Sequence, residues 1–193
     1  MKKELSPLLA HLGRFVSLTT TDIEKIERAF EVRNVKDKEH ILVEGDVCRE
    51  KYFIVSGCLR KYVNTEKGDK QIFQFAIENW WMTDYTSLES QRPSTCNIQA
   101  VEDSDFICIS RERLERLYRD VPMLETYFRK ILQRAYEASL TRIHLIFSYS
   151  GEERYRRFTS SFPEFVQRIP QYMLASYLGF TPEFLSKLRS RRS

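Results

Sequence analysis

The feature that most limits how this chain can fold is a change of hydrophobic period near Ser110. From residue 31 to residue 109, short runs rich in β-branched and aromatic residues alternate with turns that contain Gly, Asp or Ser. From Ser110 onwards, apolar residues recur at the three- and four-residue spacing of helices. The strand-like runs are residues 40–43, 52–55, 59–63, 71–77, 96–101 and 106–109. We therefore predict an α+β chain in which an antiparallel β-roll or jelly roll is followed by helices.

A single long helix is predicted to follow Pro122 and to end at Gly151. It carries one row of residues at alternating steps of four and three, the heptad spacing that lets two helices pack together. That row is Leu124, Phe128, Ile131, Ala135, Ala138, Arg142 and Leu145. Leu132, Ile143 and Ile146 form a second apolar face. We predict that one face covers the barrel and that the row pairs with a second copy in a homodimer. The alternative is that both faces pack within one chain.

Residues 170–189 have the pattern of two short helices joined by a tight turn. Pro170 can open the first helix, and Gly179 can take the left-handed conformation that ends it. Thr181 can cap the second helix, with proline at its first position and Glu183 near the positive end of its dipole. This is the layout of a helix-turn-helix whose second helix enters the major groove of DNA. An ordinary helical hairpin with a solvated second helix is the alternative.

Charge supports a polyanionic partner for this end of the chain. Residues 129–193 hold twelve Lys and Arg against five Asp and Glu, whereas the chain as a whole has a net charge of +4. Arg191 and Arg192 extend the basic face beyond the second helix, and Phe184 either contacts a thymine methyl group or packs inward. The predicted DNA-contacting residues are Gln171, Tyr172, Thr181, Glu183, Phe184, Lys187 and Arg189.

Other classes of function find little support in the sequence. His11, His40 and His144 are isolated, and no nucleophile with a partnered base is evident, so we predict no catalytic residues, no metal site and no cofactor. The cysteines lack CxxC spacing and are expected to be buried free thiols. No apolar run is long enough for a membrane span, and the start of the chain lacks the apolar stretch of a secretory signal. We therefore expect a soluble cytoplasmic protein without a membrane partner.

The order of barrel, long helix, hinge and helix-turn-helix resembles the Crp/Fnr family of bacterial transcription regulators across nearly the whole chain. Residues 41–46 (Ile-Leu-Val-Glu-Gly-Asp) and 52–60 resemble that family's opening strands, and residues 179–187 resemble its recognition segment. The resemblance implies three parts. These are a cyclic-nucleotide-binding-like β-roll in residues 1–120, a dimerisation helix and hinge in residues 121–150, and a helix-turn-helix DNA-binding domain in residues 151–193.

The resemblance also implies roles for individual residues and partners. The family's base-reading glutamate falls on Glu183, and a base-reading basic position falls on Lys187. The implied function is a homodimeric transcription regulator that reads a palindromic operator in double-stranded DNA. RNA polymerase and an unknown small-molecule effector are further partners that it suggests. A ligand-sensing or protein-interaction module on the same barrel remains the alternative.

The effector pocket is where the chain departs from the family pattern. Members that bind a cyclic nucleotide carry a Gly-Glu-Leu run and, about ten residues later, an Arg-Ser or Arg-Thr pair, because a phosphate needs a cation and donors converging on it. The corresponding residues here are Thr83, Asp84 and Tyr85, followed by Ser94 and Thr95. Since the arginine is missing, we expect an effector other than cyclic AMP, or none.

Overall fold

The computed structural model of the chain describes residues 3–190, so Arg191 and Arg192 lie outside the described residues. The strands are β1 (Glu31–Val35), β2 (His40–Leu42), β3 (Glu50–Ser56), β4 (Leu59–Asn64), β5 (Lys70–Ala76), β6 (Trp81–Met82), β7 (Asn97–Ala100) and β8 (Ser104–Ser110). The helices are α1 (Ser6–Gly13), α2 (Thr20–Ala29), α3 (Tyr85–Ser90), α4 (Arg111–Asp120), α5 (Met123–Ser148), α6 (Gly151–Ser161), α7 (Pro163–Arg168), α8 (Gln171–Leu178) and α9 (Pro182–Ser190). The predicted α+β class is confirmed.

Two four-stranded sheets form an open β-roll. The first has the strand order β1-β8-β3-β6 and the second has the order β2-β7-β4-β5, with antiparallel pairing between neighbours. Their facing sides bury a common apolar cluster that includes Ile54, Leu59, Ile98 and Phe106. β1 and β6 were not among the predicted runs. β6 has only two residues, which is too short to show a period, and three consecutive residues of β1 are exposed, which hides its alternation.

The N-terminal helices, α4 and the beginning of α5 cover the outer face of the first sheet, the side that carries Phe53 and Ile107. Leu8 of α1, Ile26 of α2 and Leu117 of α4 pack with Phe53 of β3 and Leu124 of α5 in a single buried cluster. Burial of large apolar side chains of this kind contributes about 1.5 to 3 kcal/mol each. The first turns of α5 are therefore buried against the outer face of the first sheet.

The junction after the long helix differs from the prediction for Gly151. α5 ends at Ser148, and Tyr149 takes an extended conformation with φ −127° and ψ 146°. Ser150 then caps α6, because its hydroxyl accepts from the backbone N–H of Glu153 while the Glu153 carboxylate accepts from the backbone N–H of Ser150. Gly151 is the first residue of α6, so the prediction that it ends the long helix was wrong. The capping box determines the break.

The terminal helices α6 to α9 pack on the outer face of the second sheet. The cluster that joins them to the sheet contains Cys58, Tyr62, Ile72, Phe75, Tyr155, Phe165, Ile169, Met173, Leu174, Ala175, Leu178, Leu185 and Leu188. Polar contacts add to it, since the backbone N–H of Ile72 donates to the Ser176 hydroxyl (2.8 Å) and that hydroxyl donates to the Lys70 carbonyl (2.7 Å). The terminal unit is therefore docked on the β-roll of its own chain.

Candidate nucleic-acid interface and effector pocket

Helices α8 and α9 are joined by a turn centred on a glycine. Gly179 has φ 74°, and the backbone N–H of Phe180 donates to the carbonyl of Ala175 (2.8 Å), which closes α8. The Thr181 hydroxyl then accepts from the backbone N–H of Phe184 (3.2 Å) and caps α9. Leu185 and Leu188 turn inward onto α8 and are buried. This turn and these contacts orient the outer face of α9 away from the protein.

The outer face of α9 presents acidic, aromatic and basic side chains. Glu183, Lys187 and Arg189 are exposed. Hydrogen bonds from the backbone at the start of α9 and from the Thr181 hydroxyl lower the pKa of Glu183, so its carboxylate is ionised at neutral pH. An ionised carboxylate can accept a hydrogen bond from a cytosine amino group, and a lysine one turn later can donate to guanine.

Phe184 combines features of the two alternatives considered from the sequence, inward packing and contact with DNA. Its ring packs against the Phe180 ring, with centroids 5.1 Å apart, and also lies against Gly151, where an added Cβ would be 2.7 Å from it. The side chain nevertheless stays 40% exposed. The inner half of the ring thus fixes α9 against the start of α6, and its outer half remains available to a partner.

Three of the predicted DNA-contacting residues lie at exposed helix ends. Gln171 and Tyr172 form the first turn of α8 and are exposed, and Thr181 precedes α9 and is exposed as well. The first turn of α8 contains no acidic residue, and Pro170 before it provides no side-chain cap. Its free backbone N–H groups carry the positive end of the helix dipole, which favours an anion.

The five residues predicted for an effector pocket divide into two groups. Thr83, Asp84 and Ser94 are buried together, and the Ser94 hydroxyl donates to Asp84 Oδ2 (2.8 Å). Tyr85 and Thr95 are exposed, so the structure does not bring them into that cluster. The ring of Tyr85 instead packs with the ammonium of Lys51, whose Nζ lies 4.2 Å from the ring centroid.

A buried lysine that sequence reasoning missed occupies the same region. Lys61 faces the inside of the roll, and its ammonium donates to the carbonyl of Thr83 (3.0 Å). Burial lowers the pKa of Lys61, an effect that the neighbouring Cys96 and Asp84 oppose. The available signal was its position two residues after the inward-facing Leu59 on β4, because alternate residues of a strand share a face. Lys61 and Asp84 thus place a cation and a carboxylate in the same region. A bound phosphate would instead need only cations and hydrogen-bond donors around it.

The residues predicted for a dimer interface do not form one exposed face. Leu124 and Phe128 are buried in the chain's own core, and Ile131 packs against it. Arg142 donates to the carbonyls of Phe73 (2.6 Å) and Tyr177 (2.7 Å), which holds it against its own β-roll and terminal unit. Leu124 and Phe128 were therefore wrongly assigned to the dimer interface, because they are buried in the cluster on the outer face of the first sheet.

The exposed apolar face of α5 lies roughly a third of a turn away around the helix. It consists of Leu132, Tyr136, Leu140, Ile143 and Phe147, of which Phe147 is 85% exposed. Ala135 and Ala138 of the predicted row are also exposed, and Leu145 is partly buried. Leu132 and Ile143 of the second apolar face predicted from the sequence belong to this stripe, and Ile146 of that face is exposed as well. This side of α5 has no partner within residues 3–190.

Comparison with known proteins agrees with this architecture. Residues 32–120 match the family of the cyclic nucleotide-binding domain. The transcriptional regulatory protein Btr of Bordetella pertussis is 25% identical, over 96% of this chain and 81% of its own length. The fumarate and nitrate reduction regulatory protein of Vibrio cholerae is 25% identical, over 91% of this chain and 74% of its own length. The chain is a homologue of the Crp/Fnr transcription regulators. The resemblance predicted from the two sequence motifs is confirmed.

Solved structures share the fold of this Crp/Fnr homologue. FixK2 from Bradyrhizobium japonicum superposes with a TM-score of 0.72 at 18% identity, covering 84% of this chain and 83% of its own. The global regulator CLP of Xanthomonas campestris, described as responsive to c-di-GMP, has a TM-score of 0.71 at 13% identity, covering 90% and 91%. The homologues are regulators and not enzymes.

Two further findings concern the described part of the chain. Within residues 3–190, no helix combines the length and apolar character needed to cross a membrane. The same residues contain no group of three or more His, Cys, Asp and Glu side chains that could hold a metal ion.

Proposed function

We propose that this Crp/Fnr homologue is a homodimeric transcription regulator that reads a palindromic DNA operator through α9. The exposed outer face of α9 supports this most directly, since an ionised Glu183 and a free Lys187 lie one turn apart on a helix held by a capped turn. Each well-formed base contact of this kind is worth about 1 to 3 kcal/mol of discrimination between bases. Glu183 is assigned to a cytosine and Lys187 to a guanine.

Gln171, Tyr172, Thr181 and Arg189 are proposed to position the helix through backbone phosphates. All four are exposed: Gln171 and Tyr172 at the start of α8, Thr181 at the α8–α9 turn and Arg189 near the end of α9. The uncapped start of α8 adds backbone donors. Phosphate contacts fix the register of a protein on the duplex without reading its sequence. Loss of one of them should therefore weaken binding to all sequences by a similar factor.

We assign dimerisation to the exposed face of α5 rather than to the predicted row. Leu132, Tyr136, Leu140, Ile143 and Phe147 form a continuous apolar stripe, and such a stripe on a soluble protein marks an interaction surface. A second copy of α5 packed along it would bury the stripe on both chains around a two-fold axis. Two recognition helices related by that axis would meet half-sites about one helical turn apart.

The effector is proposed to be a molecule other than cyclic AMP, and its effect a change in how the terminal unit docks. The interior of the β-roll is occupied by Lys61, Asp84 and Ser94 where the phosphate of a cyclic nucleotide would be expected. The docked terminal unit is held by separable polar contacts to the second sheet, which an effector could strengthen or weaken. We also propose that the protein acts in the cytoplasm and that RNA polymerase is one of its partners.

The salt dependence of binding to duplex DNA tests the proposal. With six or more phosphate contacts, affinity for a random duplex pool should fall by about a thousandfold or more between 50 and 200 mM salt. Arg189→Ala should reduce the slope of log affinity against log salt by about one, whereas Arg119→Ala on α4 should leave it unchanged. A fall of less than about tenfold in the wild type would instead favour a protein-interaction module.

A further inference from the structure

A cavity of about 400 Å³ lies between the second sheet of the β-roll and the start of α8. The sheet contributes Arg60, Lys70 and Gln99 to its walls, and the terminal unit contributes Pro170, Tyr172 and Met173. Its volume is in the range of pockets that hold a small organic ligand. Because its walls come from both units, anything bound there would contact the two at once.

Arg60 supplies a buried cation to this cavity. Only 4% of the residue is exposed, and its Nε (3.0 Å) and Nη2 (2.5 Å) both donate to Oε1 of Gln99. Its Nη1 is buried and has no hydrogen-bond partner among the described residues. A buried guanidinium whose recorded hydrogen-bond partner is a neutral amide, and which keeps a free donor, is costly unless an anion completes it.

Two lysines at the cavity add to the positive field. Lys38 and Lys70 are exposed, and Lys70 Nζ lies 5.0 Å from the centre of the Tyr62 ring beside Arg60. Asp37 also lines the cavity and pairs with Lys38 at 3.3 Å, so the positive charge without a paired carboxylate there comes from Arg60 and Lys70. Burial lowers the pKa of the adjacent His40, and Lys70 and Arg60 lower it further, in keeping with an excess of positive charge.

The start of α8 faces the same space. Pro170, Tyr172 and Met173 line the cavity, and the first turn of this eight-residue helix has neither a side-chain cap nor an acid. The backbone donors of such a turn favour an anion. Arg60, Lys70 and the uncapped helix start therefore all border one cavity.

We propose that this cavity binds the phosphate group of a small anionic molecule of nucleotide size, clamped between the β-roll and the terminal unit. The site is separate from the cluster of Thr83, Asp84 and Ser94 inside the roll. A ligand that contacts both walls favours the docked arrangement, so it would change any activity that depends on the position of α9. A backbone phosphate of DNA has the same chemistry, and the experiment must distinguish the two sources.

Calorimetric titration of the full chain with inorganic pyrophosphate, at constant ionic strength and without DNA, tests the proposal. We expect saturable binding of one pyrophosphate per chain. Arg60→Met should weaken it at least tenfold and Lys70→Gln severalfold, whereas Arg119→Met, which removes an exposed arginine of α4, should leave it unchanged. If Arg60→Met does not fold, as judged by circular dichroism, Lys70→Gln and Lys38→Gln test the site alone.

Two results would overturn the proposal. One is the absence of saturable pyrophosphate binding up to about 10 mM, and the other is equal binding by every variant. The affinity of the same variants for a DNA duplex is measured separately. If the variants differ from the wild type only in that affinity, the cavity holds a backbone phosphate and the small-molecule assignment is wrong. Since the titration contains no DNA, its failure would leave the proposed DNA-binding function untouched.

Discussion

At the scale of single residues, Tyr127 joins two polar side chains in the otherwise apolar cluster on the outer face of the first sheet. The indole N–H of Trp81 donates to its hydroxyl (2.7 Å), and that hydroxyl lies within hydrogen-bonding distance of Nδ1 of His11 (2.7 Å). Nδ1 can accept from the hydroxyl only while His11 is neutral. Burial lowers the pKa of His11 below 6.5, and Arg14 and Arg134 lower it further.

The free energy of unfolding should therefore fall as the pH drops below 6.5. In that range the unfolded chain binds a proton at His11 that the folded chain does not, and one pH unit is worth up to about 1.4 kcal/mol. Above pH 6.5 the contribution of His11 to the free energy of unfolding is constant. Urea unfolding at about pH 7.5 and 5.5 should show a smaller loss for His11→Gln than for the wild type.

His144→Gln is the control, because His144 is exposed near the end of α5. It should keep the wild-type pH dependence. Equal losses of stability in the wild type and in His11→Gln would show that His11 has the same pKa in the folded and the unfolded chain. The hydrogen-bonded arrangement would then be wrong.

The sequence predicts some site residues better than others at this scale. The capped turn that exposes Glu183 and Lys187 follows from Gly179 and Thr181, whose conformations are local. The interior role of Lys61 and the cavity role of Arg60 depend on what covers each face of β4, and periodicity gives the face but not its cover. A basic residue on an alternating strand is ordinarily expected to face solvent.

At the scale of elements, the long helix α5 changes role along its length. Its first turns are buried by the β-roll, its middle exposes Leu132 and Tyr136, and Arg142 near its end bonds to two other units. A heptad row read from sequence assumes that one face keeps one partner throughout. That assumption failed at Leu124 and Phe128, because these residues are buried against the first sheet of their own chain.

Ile143→Glu should prevent pairing through the exposed face of α5. A carboxylate would be buried twice in a symmetric interface, and we expect the dissociation constant of the dimer to rise at least a hundredfold, or about 3 kcal/mol. Sedimentation velocity over a concentration series measures it. The fold should persist, since Ile143 is 51% exposed in the single chain.

Ala138→Glu is the matched control, since Ala138 is exposed on α5 but lies on the predicted row. It should leave the dimer much less affected. If Ala138→Glu dissociates the dimer and Ile143→Glu does not, the interface follows the heptad row after all.

At the scale of the whole molecule, the terminal unit and the β-roll form one docked structure. Arg168 of α7 donates to both carboxylate oxygens of Glu78 (2.9 Å each), to Glu102 (2.5 Å) and to the carbonyl of Gly57 (3.1 Å). These partners all lie on loops of the β-roll. Arg168 is thus the main charged contact between the two units within residues 3–190.

Arg168→Met should loosen the docked arrangement without unfolding either unit. Glu78 and Glu102 lie at the surface and can be rehydrated, so the loss is confined to the contact. Amide exchange of residues 171–178 and of β5 should accelerate by about tenfold, with little change in β3 and β8. Arg156→Met, on the exposed side of α6, should not alter exchange; uniform acceleration in Arg168→Met would point to general destabilisation instead.

The docking itself could not be predicted from the sequence. The order of strands, long helix and helix-turn-helix is visible from period and capping, and the fold class follows from it. Tyr62 faces outward on β4 and would be expected to meet water, yet the terminal helices cover it. Local patterns show that a face is apolar but not which distant helix covers it.

Selection of bound sequences from a random pool of double-stranded DNA tests the central claim most directly. The wild type should enrich an inverted repeat with half-sites about ten base pairs apart, and Lys187→Ala should lose the preference at one position in each half-site. Lys25→Ala, on α2 at the opposite end of the β-roll, should enrich the wild-type motif. Enrichment of no motif by the wild type, or of an unchanged motif by Lys187→Ala, would contradict the assignment of α9 as the reading helix.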